Sequence, residues 1–190
     1  MRRLLLPHSL CRYVANMSLL IRPSRDEDVP VLASIYAGSV ATETASWEYE
    51  APSVEEFARR RTDLLAGGFP YFTAELDGEV VGYSYASSFR ARIGYRFVVE
   101  DSVYVVNEMK GRGIGKKLLM TLIEECARLG YRQMVAVIGD SANAGSIKLH
   151  EACGFTQAAL FKGIGYKFGR WLDSVQMQRE LGEGSGTLPK

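Results

Sequence analysis

Disulfides, metal clusters and membrane spans are all poorly supplied for in this chain. Its 190 residues include three cysteines and two histidines. Cys11, Cys126 and Cys153 are odd in number, and no two stand at metal-ligand spacing. They read as reduced thiols, with no disulfide framework and no metal, as expected of a cytoplasmic protein. No apolar run approaches the roughly 18 residues that span a bilayer. Neither sign of charge is in excess: 23 basic and 22 acidic residues leave a net charge of +1. That is too little to make nucleic acid or an anionic membrane the main partner. There is no internal repeat.

What is present is an ordinary globular supply, 47% hydrophobic and 24% charged, enough for one domain with a sizeable core. Residues 1–17 stand apart, with Arg2, Arg3 and Arg12 and no acid. Pro7 interrupts their short leucine run, and no small-residue cleavage site is clear. A transit peptide is one reading. The preferred one is an extension ahead of a start at Met17, which precedes the first recognisable strand, and the segment is expected to be poorly ordered. Residues 182–190 are rich in Gly and Ser and read as a flexible tail. The domain is then 18–181.

Taken in order, residues 19–23 read as a strand closed by Pro23. Val31, Leu32, Ile35 and Tyr36 recur at helical spacing after Pro30. Residues 39–51 have no clean period and read as a loop with a short extended piece. Its Trp47 is either a pocket wall or simply core. Ser53 with Glu56 forms a capping-box pattern ahead of a helix over 54–66. That helix turns Phe57, Leu64 and Leu65 inward and presents Arg59, Arg60 and Arg61 as a solvated face. Residues 71–76 and 79–87 flank Asp77-Gly78, the clearest hairpin signal. A strand follows over 97–106. A helix over 114–129 carries Leu118, Leu119, Leu122, Ile123, Cys126 and Leu129 in one stripe, with Gly130 as its stop. Residues 133–138 read as a buried strand, and Asn143 or Ala144 opens a short helix to Ala152. Beyond Phe155 come a strand, a loop broken by Gly163, Gly165 and Gly169, and a last strand over 173–177. Cys126 and Cys153 read as core residues.

The organising stretch is 103–119, VYVVNEMKGRGIGKKLL. A β-rich run stops at Asn107, Gly111, Gly113 and Gly115 follow at alternate positions, and a helix opens at Ile114. Glycines let backbone N–H groups approach a phosphate, and a helix N-terminus adds unpaired donors and partial positive charge. The dinucleotide pattern G-x-G-x-x-G fails, because Lys116 stands three residues after Gly113. The P-loop pattern fails at Lys110, where it needs glycine, and at Lys117, where it needs Ser or Thr. What remains is a basic residue at Lys110, then x-x-Gly113-x-Gly115.

That motif resembles the pyrophosphate loop of the GNAT superfamily of N-acetyltransferases. The order of elements around it agrees, over about residues 18–180. Phe89-Arg90-Ala91-Arg92, Tyr95, the 99–105 strand, Leu149-His150-Glu151, Gly154-Phe155 and 165–171 narrow the resemblance to the phosphinothricin acetyltransferase branch. Lys110 stands where Gln or Arg is more usual, which changes a peripheral charge and leaves the backbone cradle.

The resemblance implies an α/β GNAT fold: a mixed central sheet of about seven strands, splayed at the CoA-binding strand and flanked by about four helices. It implies acetyl-CoA as donor, a glutamate-like amino acid as acceptor of the acetyl group on its α-amine, and a homodimer. Val103, Tyr104, Val105 and Val106 would bind the pantetheine arm through main-chain hydrogen bonds, with a main-chain N–H near Val105 or Val106 meeting the thioester oxygen. Lys110, Gly111, Arg112, Gly113, Ile114, Gly115 and Lys116 would hold the pyrophosphate, and Asn143 and Ser146 would lie on the pantetheine side. An α-amine near pH 7 is largely ammonium and must lose a proton before it attacks, so a carboxylate base is needed. The resemblance assigns that role to Glu100, with Asp101 the weaker substitute. His150 and Tyr166 are candidates for the acid that meets the leaving thiolate, and His150 has an equally good structural reading. Arg90 and Arg92 suit the acceptor's carboxylate and oxo groups, with Tyr95 and Trp47 as pocket walls. Two other readings stand beside this one: a non-catalytic CoA-binding module, and an acetyltransferase for a peptide amine.

Overall fold

The computed structural model describes residues 18–189. The two readings of residues 1–17, and Cys11 with them, lie outside the described residues. The chain runs β1 (Leu19–Pro23), α1 (Val29–Thr42), α2 (Val54–Ala66), β2 (Tyr71–Leu76), β3 (Glu79–Ser88), β4 (Val98–Val105), α3 (Ile114–Arg128), β5 (Gln133–Gly139), α4 (Ala144–Ala152), β6 (Thr156–Lys167) and β7 (Arg170–Glu180). The strands form one sheet in the order β1-β2-β3-β4-β5-β7-β6. Every neighbouring pair is antiparallel except β4 with β5. This is the mixed seven-stranded α/β fold that the sequence implies. No helix among the described residues is long and apolar enough to cross a membrane.

Strand alternation builds a separate core on each face of the sheet. Tyr71 and Tyr83 pack under α1 and α2 against Leu32 and Phe57, with Tyr36, Tyr85 and Tyr104 at the margin. On the other face the α3 stripe of Leu119, Leu122, Ile123 and Cys126 packs on Val99, Met134 and Ala136. Ser53 caps α2 by accepting the Glu56 N–H at 3.2 Å, as its capping pattern predicts. Leu129 and Leu65, both expected inward, are exposed. On α2 the inward place is taken by Arg61, which the sequence had put on a solvated face. Its guanidinium reaches Ser24 Oγ at 2.8 Å, Asp26 at 2.8 Å and the Ser24 carbonyl at 2.9 Å, so its polar end is satisfied where the helix is buried.

Three further differences share one cause, tertiary contacts that override local propensity. Helix α1 runs to Thr42, although Gly38, Val40 and Thr42 are weak helix formers. Its end is held by Lys167, whose Nζ donates to the carbonyls of Val40 (2.8 Å), Glu43 (2.9 Å) and Ser46 (2.6 Å). The expected glycine-broken loop is instead a long β6–β7 hairpin that turns at Phe168 and Gly169, with an irregularity between Phe161 and Gly165. An edge strand tolerates such a bulge because only one side of it is paired. The segment after Glu180 does not run free: Arg132 donates to Glu183, Thr187 and the Leu188 carbonyl.

Asp28 ties the first elements together. It accepts from Arg22 Nη1 at 2.7 Å and Nη2 at 2.9 Å, from the Arg25 N–H at 2.8 Å and from Thr73 Oγ1 at 3.1 Å. Burial opposes its ionisation, but the Arg22 guanidinium and the two other donors outweigh burial and hold the carboxyl down to about 2. A depressed carboxylate stabilises the fold above its unfolded value and loses that contribution as pH falls through the folded one, so this support fades between about pH 4 and 2. Asp28→Ala is expected to lower stability by about 3 kcal/mol, because it leaves Arg22 buried with Glu75 alone; urea denaturation at pH 7 measures it.

Candidate active site

The site follows from a pairing that stops. Strands β4 and β5 are in register only at Val98–Gln133, Val99–Met134 and Glu100–Val135. Beyond that point β5 stays with β7 as far as Gly139, while β4 stays with β3 as far as Val105. A wedge opens between them. Residues 101–105 keep one strand edge without a β partner, and unpaired backbone groups need a partner from somewhere.

Alternation sends side chains to both sides of the wedge. Glu100, Ser102 and Tyr104 face the α1 side, and Asp101, Val103 and Val105 face α3 and α4. A cavity of about 300 Å³ spans the opening, lined among others by Ser46, Trp47, Tyr85, Glu100, Tyr104 and His150. A second, larger hollow of about 840 Å³ runs along the α3–α4 side and shares Val103, Asn143 and Ser146 with the first.

The larger hollow is built by the glycine stretch. Gly113 is the N-cap of α3 with φ of 81°, a left-handed conformation that other residues adopt only with strain. The Lys117 N–H makes the first helical bond, to Gly113 O at 3.1 Å. The N–H groups of Ile114, Gly115 and Lys116 precede it and have no helical partner. Lys110, Lys116 and Lys148 also line this hollow, and Lys110 is ion-paired with Glu43. Hence donors and cations converge on a place where an anion can sit. Arg112, expected here, is not among the lining residues. Asn143 caps α4 by accepting the Ser146 N–H at 3.2 Å. The Val106 N–H is bound to Val81 O at 2.9 Å, which removes it as a free donor. Among the described residues no group of three or more His, Cys, Asp or Glu could hold a metal ion.

Glu100 stands at the branch point of the wedge. Burial, and then the neighbouring Asp101 charge, push its carboxyl up to about 7. His150 is only 4% exposed. Its Nε2 lies 3.0 Å from Asp101 Oδ2 and its Nδ1 lies 2.7 Å from the Ser146 carbonyl. Burial lowers the imidazole's proton affinity, but the bond to Asp101, its charge and the Ser146 carbonyl together outweigh that and the net direction is upward.

Trp47 is a wall of the smaller cavity and is also packed into the fold. An added Cβ on Gly165 would meet its ring at 2.7 Å, and one on Gly139 would meet its Nε1 at 2.6 Å. Trp47 is thus a packed residue that also lines a cavity. Ser46 beside it is fixed by the Tyr36 hydroxyl at 2.9 Å.

Other expected residues are placed elsewhere. Tyr166 lies half-exposed against Trp171, 5.3 Å between ring centroids, and lines neither hollow. The reason is register: Tyr166 pairs across the hairpin with Trp171, on the exposed side of an edge strand. Arg90, Arg92 and Tyr95 sit on the exposed 89–97 loop, also outside both linings. Arg90 lies over the rings of Phe89 and Tyr95, at 5.1 and 5.9 Å. Ser46, Tyr85 and Ser102 line the smaller cavity without having been singled out in the sequence. The pair of strand glycines, Gly139 and Gly165, marks the close approach of Trp47 next to Ser46, while Tyr85 and Ser102 carried no such signal.

A family profile described as an acetyltransferase (GNAT) domain matches residues 21–176. The chain belongs to this GNAT acetyltransferase family. It is 46% identical to the phosphinothricin N-acetyltransferase of Alcaligenes faecalis, over 93% of this chain and 90% of that one. It is 38% identical to an L-methionine sulfoximine/L-methionine sulfone acetyltransferase of Salmonella typhimurium, over 87% and 96%. The crystal structure of a phosphinothricin acetyltransferase from Sinorhizobium meliloti in complex with acetyl-CoA superposes with a TM-score of 0.89 at 46% identity, covering 92% of this chain and 94% of that one.

The packing of Trp47 can be tested directly. Gly165→Ala is expected to cost about 1–3 kcal/mol by overpacking the ring and to raise the acceptor KM while CoA affinity stays within about twofold. Denaturant midpoints and steady-state kinetics check the two halves of that statement.

Proposed function

We propose that this member of the family is an acetyl-CoA-dependent N-acetyltransferase whose acceptor is the α-amine of a small amino-acid-like molecule, of the kind represented by phosphinothricin and methionine sulfoximine. The observation that carries the reading is Glu100, a carboxylate with a proton affinity near neutrality, set in the wall of the acceptor-sized cavity where β4 and β5 part. The names of the similar proteins support the acceptor class and the donor.

The residues fit acetyl-CoA on the chain's own geometry. The free N–H groups at the α3 N-terminus and the lysines beside them suit a pyrophosphate. The unpaired edge of β4 offers a peptide-like arm the hydrogen bonds that β5 no longer makes. When bound, acetyl-CoA supplies an activated acyl carbon whose bond to sulfur can break. Glu100 then accepts one proton from the ammonium form of the acceptor, which frees the nitrogen lone pair for attack. The proton on Glu100 returns to water at the end of the cycle, and the second proton that the nitrogen sheds ends on the sulfur. Trp47, Tyr85 and Tyr104 shield the small cavity, so these transfers take place largely out of bulk water.

Arg90 and Arg92 remain the candidates for the acceptor's carboxylate, with Tyr95 as their support. Their loop leaves β3 at Ser88, which pairs with Val99, so it emerges beside Glu100. Neither guanidinium has an acidic partner among the described residues. A homodimer is supported by the edge hairpin, where Leu160, Phe161, Ile164, Tyr166, Phe168 and Trp171 are all exposed, an apolar run unusual for a monomer. A cytoplasmic location is consistent with the buried free thiols of Cys126 and Cys153.

Release of free thiol from acetyl-CoA in the presence of L-methionine sulfoximine or L-phosphinothricin tests the reading. CoA binding without turnover on these or on a panel of amino acids would sink it in favour of a binding module. Glu100→Gln is expected to lower kcat by about 10²–10⁴ with CoA affinity retained. Because the base must be ionised, wild-type kcat/KM should rise with pH through a midpoint near 7.

A further inference from the structure

Asp101 is the first residue of β4 after its pairing with β5 ends, and its side chain crosses to α4. Asp101 Oδ2 meets His150 Nε2 at 3.0 Å, and His150 Nδ1 meets the Ser146 carbonyl at 2.7 Å. A carbonyl oxygen and an ionised carboxylate can only accept, so the ring needs a proton on each nitrogen to make both bonds. Ser146 Oγ, at 3.4 Å from Nδ1, is too distant to change that count. The pair is shut away from solvent, with Asp101 at 7% and His150 at 4% exposure, and Asp101 Oδ1 is buried without a partner. The edge of Phe155 closes one side of the imidazole at 5.1 Å.

Other ionisable groups around the pair do not supply a cation to Asp101. Glu100 is its neighbour on β4 and is an acid. Cys126 on α3 and Cys153 at the end of α4 are thiols pushed upward by burial, Cys126 to about 12. Lys116 and Arg179 act on Cys153 and make no ion pair with Asp101 among the described residues. His150 is therefore the one basic group in contact with Asp101 among the described residues.

The pair also joins two walls. Val103 on β4, Asn143 at the cap of α4 and Ser146 on α4 line both hollows, and Asp101 and His150 belong to the same two elements. We infer that Asp101 is a positioning residue for acetyl transfer: it holds His150 as a fixed imidazolium across the wedge, in the wall of the smaller cavity. The inference rests on the proposed activity. In that transfer the nitrogen–carbon bond forms as the carbon–sulfur bond breaks, and the electron pair goes to sulfur. One amine proton has passed to Glu100 and the second ends on the sulfur. A buried cation in this wall, one helical turn from Ser146, which lines both hollows, stabilises the charge gathering on sulfur before that proton arrives, and it acts strongly because the pair is shut away from water. His150 keeps both of its own protons throughout, since both are engaged by Asp101 and Ser146.

The charge state can be read without turnover. Imidazole ¹⁵N shifts of the intact protein, with His150 assigned by its loss in His150→Gln, are expected to show both ring nitrogens protonated at pH 7.5, above the ordinary histidine midpoint of about 6.5. A neutral ring at that pH would overturn the inference, whether or not any acceptor is turned over. Asp101→Asn keeps the contact, because its amide N–H can donate to Nε2 of a neutral ring. It should leave CoA affinity and the acceptor KM within about twofold, lower kcat on the order of 10²-fold and abolish the doubly protonated ring. Unchanged kcat with a neutral ring would refute a role for the charge. Where Asp101→Asn does not fold, the wild-type ring spectrum decides. Absence of turnover in the wild-type protein contradicts the proposed activity and leaves the protonation result standing separately.

Discussion

The parallel ladder between β4 and β5 lasts three residues, and the arrangement of the site depends on its ending there. Each strand keeps its partner on the other side, β3 for β4 and β7 for β5, so the fold does not lose its sheet. What it loses is a set of backbone hydrogen bonds along residues 101–105. In a buried setting those groups need replacements, and a ligand with amides of its own is a natural one. The wedge also gives a reactive centre access from both faces of one sheet. A donor can enter over α3 and α4, and an acceptor can enter under α1.

Two adjacent carboxylates are separated by the same geometry. Glu100 and Asp101 are neighbours in the chain but point to opposite faces. Asp101 meets an imidazole at 3.0 Å. Glu100 has no cation among its influences, and burial with the nearby Asp101 charge carries it to about 7. Identical chemistry in two environments thus yields one group fixed in an ion pair and one free to take a proton near neutrality. The same wall that shields Glu100 is fastened from a distance. Lys167 on β6 binds three carbonyls at the end of α1, and Trp47 lies over glycines of β5 and β6.

Much of this was legible in the sequence where local signals and burial agree. The Asp77-Gly78 turn, the Ser53 cap and the α3 stripe each produced the element expected of them. The glycine turn into α3 was legible because glycine spacing before a helix has few other uses, and failed matches at Lys110, Lys116 and Lys117 removed the rival phosphate-loop patterns. Long-range partners were not legible. Arg61 looks like its exposed neighbours until Ser24 and Asp26 arrive from 37 and 35 residues away. Helix α1 ends late because of a lysine more than 120 residues downstream. Tyr166 was placed on the exposed side by the pairing of β6 with β7, which depends on a bulge that glycines permit but do not announce. The His150–Asp101 contact spans 49 positions, so spacing alone could not join them.

The central claim is that β4, released from β5 beyond Glu100, gives its free edge to the donor. Amide hydrogen exchange followed residue by residue, with and without CoA, tests this most directly. The account predicts that amides within residues 101–105 and those at Ile114, Gly115 and Lys116 gain protection when CoA is added, with little change along β1 and β2. Protection confined to other segments, with residues 101–105 exchanging as before, would contradict it.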